Sequence, residues 1–142
     1  MSRLRSQNII AGTFGAVWVN DEEWAHVTKF EAKVTGEYED VLMAGRLTTG
    51  RKYMGWTGEG TITVNKVNST ITKMLGENFK KGIVPEIKIV ARLDDPNAYG
   101  AERVEILDVT FNEFMLLNFE VKAKMEEEVP FSFEDYNLID TI

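Results

Sequence analysis

Apolar and polar positions alternate with period two along most of the chain, the signature of half-buried β-strands. Phe14, Ala16 and Trp18 alternate with Gly15, Val17 and Val19, and Asn20-Asp21 then supplies turn chemistry. Trp24, His26, Thr28, Phe30, Ala32 and Val34 follow on one face, with Lys29, Glu31 and Lys33 on the other. The pattern predicts an N-terminal hairpin with strands at about 14–20 and 23–35. A short strand can run from Glu37 to Met43, and Thr61 to Val64 reads as another.

Between them the alternation fails. From Met43 to Gly60 the chain carries Gly45, Gly50, Gly55, Gly58 and Gly60 among Arg46, Arg51, Lys52, Tyr53, Met54 and Trp56, and fits neither strand nor helix period. A structureless connection longer than about 12–15 residues is uncommon in a compact domain and is usually functional or disordered. The aromatic and Met content argues against plain disorder. A long loop at about 43–60 is therefore expected, either lying on the surface or ordering against another subunit. Arg46, Tyr53, Met54 and Trp56 are the residue types enriched at the cores of interfaces.

One helix is predicted, over about 69–81. Asn68 or Ser69 can cap it, and Ile71, Met74, Leu75, Asn78 and Phe79 share one face. Lys80 and Lys81 suit the negative end of its dipole, and Gly82 stands where a terminating glycine belongs. After Pro85 the period returns to two, with Ile87, Ile89, Ala91 and Leu93 on one face, followed by a loop through Asp94-Asp95-Pro96-Asn97 to Gly100. The strand expected from Glu102 to about Phe114 changes phase. Val104 and Ile106 set one face, then Leu107, Val109 and Phe111 take over, as at a bulge. Leu117, Phe119, Val121, Ala123 and Met125 alternate with polar residues as a further strand. Val129, Phe131 and Phe133 form the last, an edge strand or one beginning at Pro130, which lacks an N–H for a ladder.

The total is seven or eight strands and one helix without βαβ alternation. That is a mainly β fold: one domain over residues 1–142, an antiparallel β-sandwich or partial barrel with one packed α-helix. A chain of 142 residues can bury a core without staples.

Composition narrows the chemistry. Sixteen Lys and Arg against 23 Asp and Glu give 16 − 23 = −7, which argues against a duplex-binding module. With no Cys there is no disulfide, thiolate zinc site or Cys nucleophile, and the single His26 excludes sites needing two imidazoles. His26, between Trp24 and Thr28, reads as structural. Met1 to Ser6 is basic with no apolar stretch behind it, so no signal peptide is expected, and no apolar run approaches a membrane span. Gly55, Gly58 and Gly60 precede a strand rather than a helix, so they are no dinucleotide fingerprint. Asp94-Asp95 with Asn97 reads as a turn rather than a calcium loop, and Glu126-Glu127-Glu128 as a solvated run that could alternatively meet basic residues of a partner. No enzyme, cofactor or metal is expected.

Glu127 through Tyr136, reading Glu-Glu-Val-Pro-Phe-Ser-Phe-Glu-Asp-Tyr, resembles the C-terminal signature of tail tube proteins of PBSX-like prophages, the XkdM-type family. Related tube proteins occur in contractile phage tails and R-type bacteriocins. Gln7-Asn8 with Gly12, Glu23 to His26, Phe30 to Ala32, Gly45-Arg46, Thr49-Gly50 with Lys52, Gly58 to Thr61, Lys66-Val67, Gly100 to Val104 and Asp108 to Phe111 extend the resemblance along nearly the whole chain.

The resemblance implies hexameric rings that stack into a hollow tube inside a contractile sheath. Four strands per subunit would join across subunits into an inner barrel, and the long loop would reach the adjacent ring. It implies sheath, baseplate and tail-terminator partners, DNA passing without tight binding, and no stable membrane anchor. It also implies assembly in the bacterial cytoplasm and then incorporation into a virion or phage-tail-like particle. On this reading Arg46, Tyr53, Met54 and Trp56 stack rings, and Val129, Phe131 and Phe133 form a C-terminal interface. Strands at about 23–35 and 102–125 would line the barrel, turning Lys29, Glu31, Lys33, Glu120, Lys122 and Lys124 to lumen or solvent. The competing reading is a monomeric β-sandwich module that binds carbohydrate or another ligand on Trp18, Trp24 or Trp56.

Overall fold

The computed structural model describes residues 6, 15–65, 70–94, 96, 100–117 and 119–141. The expectations resting on Gln7-Asn8, Gly12, Phe14, Lys66-Val67, Asn68, Ser69, Asp95, Asn97 and Asn118 lie outside them. The strands are β1 (Gly15–Val19), β2 (Glu22–Glu23), β3 (Val27–Val41) and β4 (Gly50–Asn65), followed by helix α1 (Thr70–Lys81). Then come β5 (Ile89–Leu93), β6 (Glu102–Leu107), β7 (Thr110–Phe111), β8 (Glu126–Phe133) and β9 (Asp135–Asp140). They form two antiparallel sheets, one ordered β2-β1-β5-β6-β9 and the other β3-β4-β8-β7.

The first hairpin is shorter than the alternation predicts. Asn20 (φ 50°) and Asp21 (φ 68°) form a two-residue turn of the kind whose twist matches flanking strands. The returning strand, however, is only Glu22 and Glu23 long, against Val19 and Trp18 of β1. At Trp24 the chain leaves this sheet, and β3 opens the other one against β4. A register shift between Val27 and Lys29 puts Thr28 out of phase. Val27 and Phe30 pack on the core while Thr28 is exposed, its Oγ1 donating to the Thr63 carbonyl at 3.3 Å.

The helix follows its pattern. Ile71 and Leu75 are buried, and Met74 packs against the core. Ile83 N–H donates to the Asn78 carbonyl at 2.9 Å and Gly82 N–H to that of Phe79 at 3.3 Å. Gly82 has φ +70°, so these paired bonds close the helix as a Schellman motif.

The phase slip after Ile106 is a change of sheet. Asp108 takes φ 52°, Val109 N–H donates to the Ile87 carbonyl at 3.1 Å, and β7 joins the four-stranded sheet. Among the described residues of 117–125 no strand forms. Leu117, Phe119 and Val121 are exposed in irregular chain, and Lys122 has φ 64°. The alternation is present there, but among the described residues no strand pairs with it.

The core lies between the sheets. Val17, Val19, Ile87, Ile89 and Ile106 come from one side, Ile62, Val64, Phe111, Val129, Phe131 and Phe133 from the other, and Ile71 and Leu75 from α1. Each such side chain contributes about 1.5–3 kcal/mol on burial. β8 is not an edge along its whole length. β4 flanks it throughout, and β7 covers Phe131 and Ser132; among the described residues no strand pairs with its other side over 126–129. Pro130 sits at that boundary, its carbonyl accepting from Asn112 N–H at 2.9 Å.

Candidate assembly surface

The segment expected as a loop at about 43–60 is mostly strand. β3 and β4 pair continuously from Val27 to Val41, leaving only residues 42–49 as the connection. β8 covers β4 only from Gly58 to Asn65, so Gly50–Thr57 pairs with β3 alone. The two strands therefore run on as an arm. At about 3.3 Å per residue, those eight residues project roughly 26 Å. Both faces of the arm meet solvent, so no inside-outside alternation exists for a sequence reader to find. A register shift between Glu37 and Tyr38 disturbs the period further.

One arm face continues the core face. Trp56 lies opposite Gly36, and Tyr38 opposite Tyr53 with ring centroids 5.5 Å apart. The Arg51 guanidinium sits 4.2 Å from the Tyr38 centroid. Tyr38 and Tyr53 remain about half exposed, since among the described residues no second sheet covers them. The other face is polar. Thr57 Oγ1 donates to Glu37 Oε1 at 2.5 Å, and Glu39 stands opposite Lys52. Leu42 and Leu47 are fully exposed at the tip.

The four ring-stacking candidates separate. Arg46 is in the tip, and Tyr53 and Met54 are exposed on the arm. Trp56 anchors the arm's base, 6.1 Å from Phe133 and 5.3 Å from Tyr136 between centroids. The C-terminal candidates do not lie at a surface. Val129, Phe131 and Phe133 are at most 5% exposed and form this subunit's own core, because β8 alternates toward the facing sheet. Glu127 of the acidic run shares that inward face and is buried.

Lys29, Glu31 and Lys33 are exposed on the outer face of β3, with Lys33 Nζ 3.6 Å from Glu59 Oε1 across the strand pair. Thr61, Thr63 and Glu128 continue this polar face over β4 and β8. Glu120, Lys122 and Lys124 are exposed but belong to irregular chain, not to a barrel strand.

The tryptophans form no common platform. Trp24 is buried against His26 with centroids 5.8 Å apart, Trp56 is held as above, and Arg92 covers Trp18 at 5.0 Å. Among the described residues no group of three His, Asp or Glu side chains could hold a metal ion, and no helix is long and apolar enough to cross a membrane.

Pattern reading passed over Tyr38, Leu42 and Leu47, and took the exposed apolar run at 117–125 for a strand. Tyr38 carries a signal only once its pairing with Tyr53 is known.

Two packed antiparallel sheets, one helix and a long two-stranded arm define a tube-type β fold. The chain belongs to the phage tail tube protein family, whose model matches residues 2–140. It is 39% identical over 137 residues to the phage-like element PBSX protein XkdM of Bacillus subtilis (strain 168), covering 95% of this chain and 93% of that one. The resemblance read from Glu127 to Tyr136 and its companion segments is thus upheld. In fold the chain is similar to a chain of the anti-feeding prophage tube-terminating cap, with TM-score 0.77, 8% identity, and 99% and 97% of the two chains covered. It is likewise similar in fold to a chain of the extended PVC sheath–tube complex, with TM-score 0.68, 8% identity, and 94% and 95% covered.

Proposed function

We propose that this protein is the tube subunit of a contractile tail or phage-tail-like particle, assembling as hexameric rings that stack within a sheath. The arm carries this reading. An isolated two-stranded ribbon is marginal in water. This one keeps an aromatic face that extends the core, with no second layer over it among the described residues. A subunit of the next ring supplies that layer, with Tyr53, Met54 and Arg46 in the contact and Trp56 holding the arm to its own body.

Among the described residues the four-stranded sheet has open outer strands at both sides, β3 and β7. Joining them head to tail closes a ring and removes the exposed edges. The polar face with Lys29, Glu31 and Lys33 then lines the lumen. Six subunits carry 6 × −7 = −42, so a passing phosphate backbone is not held tightly. Sheath, baseplate and terminator proteins are the other partners. Assembly takes place in the bacterial cytoplasm, and the finished tube belongs to the particle. The role is structural rather than enzymatic.

Negative-stain microscopy of the purified chain tests this. Rings or tubes are expected, and a variant with residues 37–55 replaced by Asn-Gly should fold yet form no tubes. Tubes of normal length from the armless variant would refute the stacking role.

A further inference from the structure

Leu116, Leu117, Phe119 and Val121 are 73–80% exposed in the irregular segment that follows β7. Exposed single apolar residues are ordinary, but a cluster of four in six positions marks a contact surface. The segment is tied to the body at its start, where the Thr72 hydroxyl donates to the Met115 carbonyl at 3.3 Å and Phe114 packs on Phe79 with centroids 5.2 Å apart.

At the opposite side of the same sheet, beside β3, the two sheets part around a cavity of about 520 Å³. Trp24, Phe30, Ala91, Leu93 and Val104 line its apolar part. Trp24 is 2% exposed, yet its Nε1–H has no acceptor among the described residues. Buried donors of this kind normally have partners.

We infer that in the ring Leu117 and Phe119 of one copy seat in this cleft on the next copy, where a main-chain carbonyl of the inserted loop accepts from Trp24 Nε1. This rests on the ring assembly proposed above and specifies its joint. A second copy is the occupant for three reasons. First, the loop leaves the outer strand β7 and the cleft lies beside the outer strand β3, so one head-to-tail step joins them and repetition closes a ring. Second, the volume is that of a site enclosing a small apolar ligand, enough for two large side chains. Third, the charges match. Glu120, Lys122 and Lys124 on the loop face a cleft bordered by Lys29, Glu23 and Glu102.

The chain has no native cysteine, so disulfide trapping reads the contact directly. L93C and L117C are placed on separate chains, mixed, assembled and oxidised. A disulfide needs Cα atoms roughly 4.4–6.8 Å apart. A covalent L93C–L117C dimer is expected in assembled rings, and a ladder up to ring size from the double variant, whereas E77C, on the exposed helix face, should give none with L93C. Rings without the L93C–L117C product, or a double variant that closes only within one chain, overturn the docking. If the unaltered chain forms no rings, the ring reading fails and the docking with it. A second variant, L117D/F119D, changes only exposed positions and should fold normally, with its critical assembly concentration raised about tenfold or more. Unchanged assembly would also overturn the docking.

Discussion

The ring of Phe131 lies over Gly60, its partner in register on the adjacent strand. A Cβ at Gly60 would strike both that ring and the Glu31 carbonyl, and one at Gly58 would strike the ring of Phe133, again its register partner. Two glycines in mid-strand, costly by propensity, thus let two phenylalanines fold flat across β4 and reach Phe30, Phe111 and Trp56. Gly60→Ala should therefore lower stability by about 1–3 kcal/mol through overpacking. In urea unfolding the midpoint should fall with an unchanged slope. Gly76→Ala, where a Cβ meets nothing, should not destabilise.

Trp56 links the arm to the body through Phe133 and Tyr136. Trp56→Ala should cost about 2–4 kcal/mol, at or below the range for a fully buried tryptophan. Hydrogen exchange should show amides of the arm, residues 34–41 and 50–57, losing protection ahead of those in β5 and β6. Uniform loss across both sheets would contradict a local anchoring role.

Asp108 holds a left-handed conformation where the chain passes from β6 to β7. Asp108→Gly should leave stability within about 0.5 kcal/mol or raise it, since glycine adopts positive φ without steric penalty. Asp108→Val should cost about 1–2 kcal/mol, because a β-branched residue resists that region. Thermal unfolding of the pair gives the comparison.

Lys33 and Glu59 form an ion pair whose side chains are 58% and 53% exposed. Solvent screening makes such a pair worth little, so Lys33→Ala should shift stability by no more than about 0.5 kcal/mol. Its effect belongs to the surface charge of the four-stranded sheet, measurable as altered salt dependence of assembly.

Local chemistry made part of this molecule legible in sequence. The helix could be read because Ile71, Met74 and Leu75 repeat at its period and Gly82 ends it. The strands flanking the core could be read because one face is dry and the other wet, as at Ile87 and Ile89 or Val129 to Phe133. The C-terminal block likewise carried the family. Only the tertiary structure decided which strand pairs with which, and where burial is absent. The arm hid because both its faces are wet. Val129, Phe131 and Phe133 read equally well as interface or core until β8 was seen to turn them toward the facing sheet. Leu117 to Met125 kept a strand's alternation without a strand's partner, since period two records which side chains seek burial and not whether this chain supplies the neighbour.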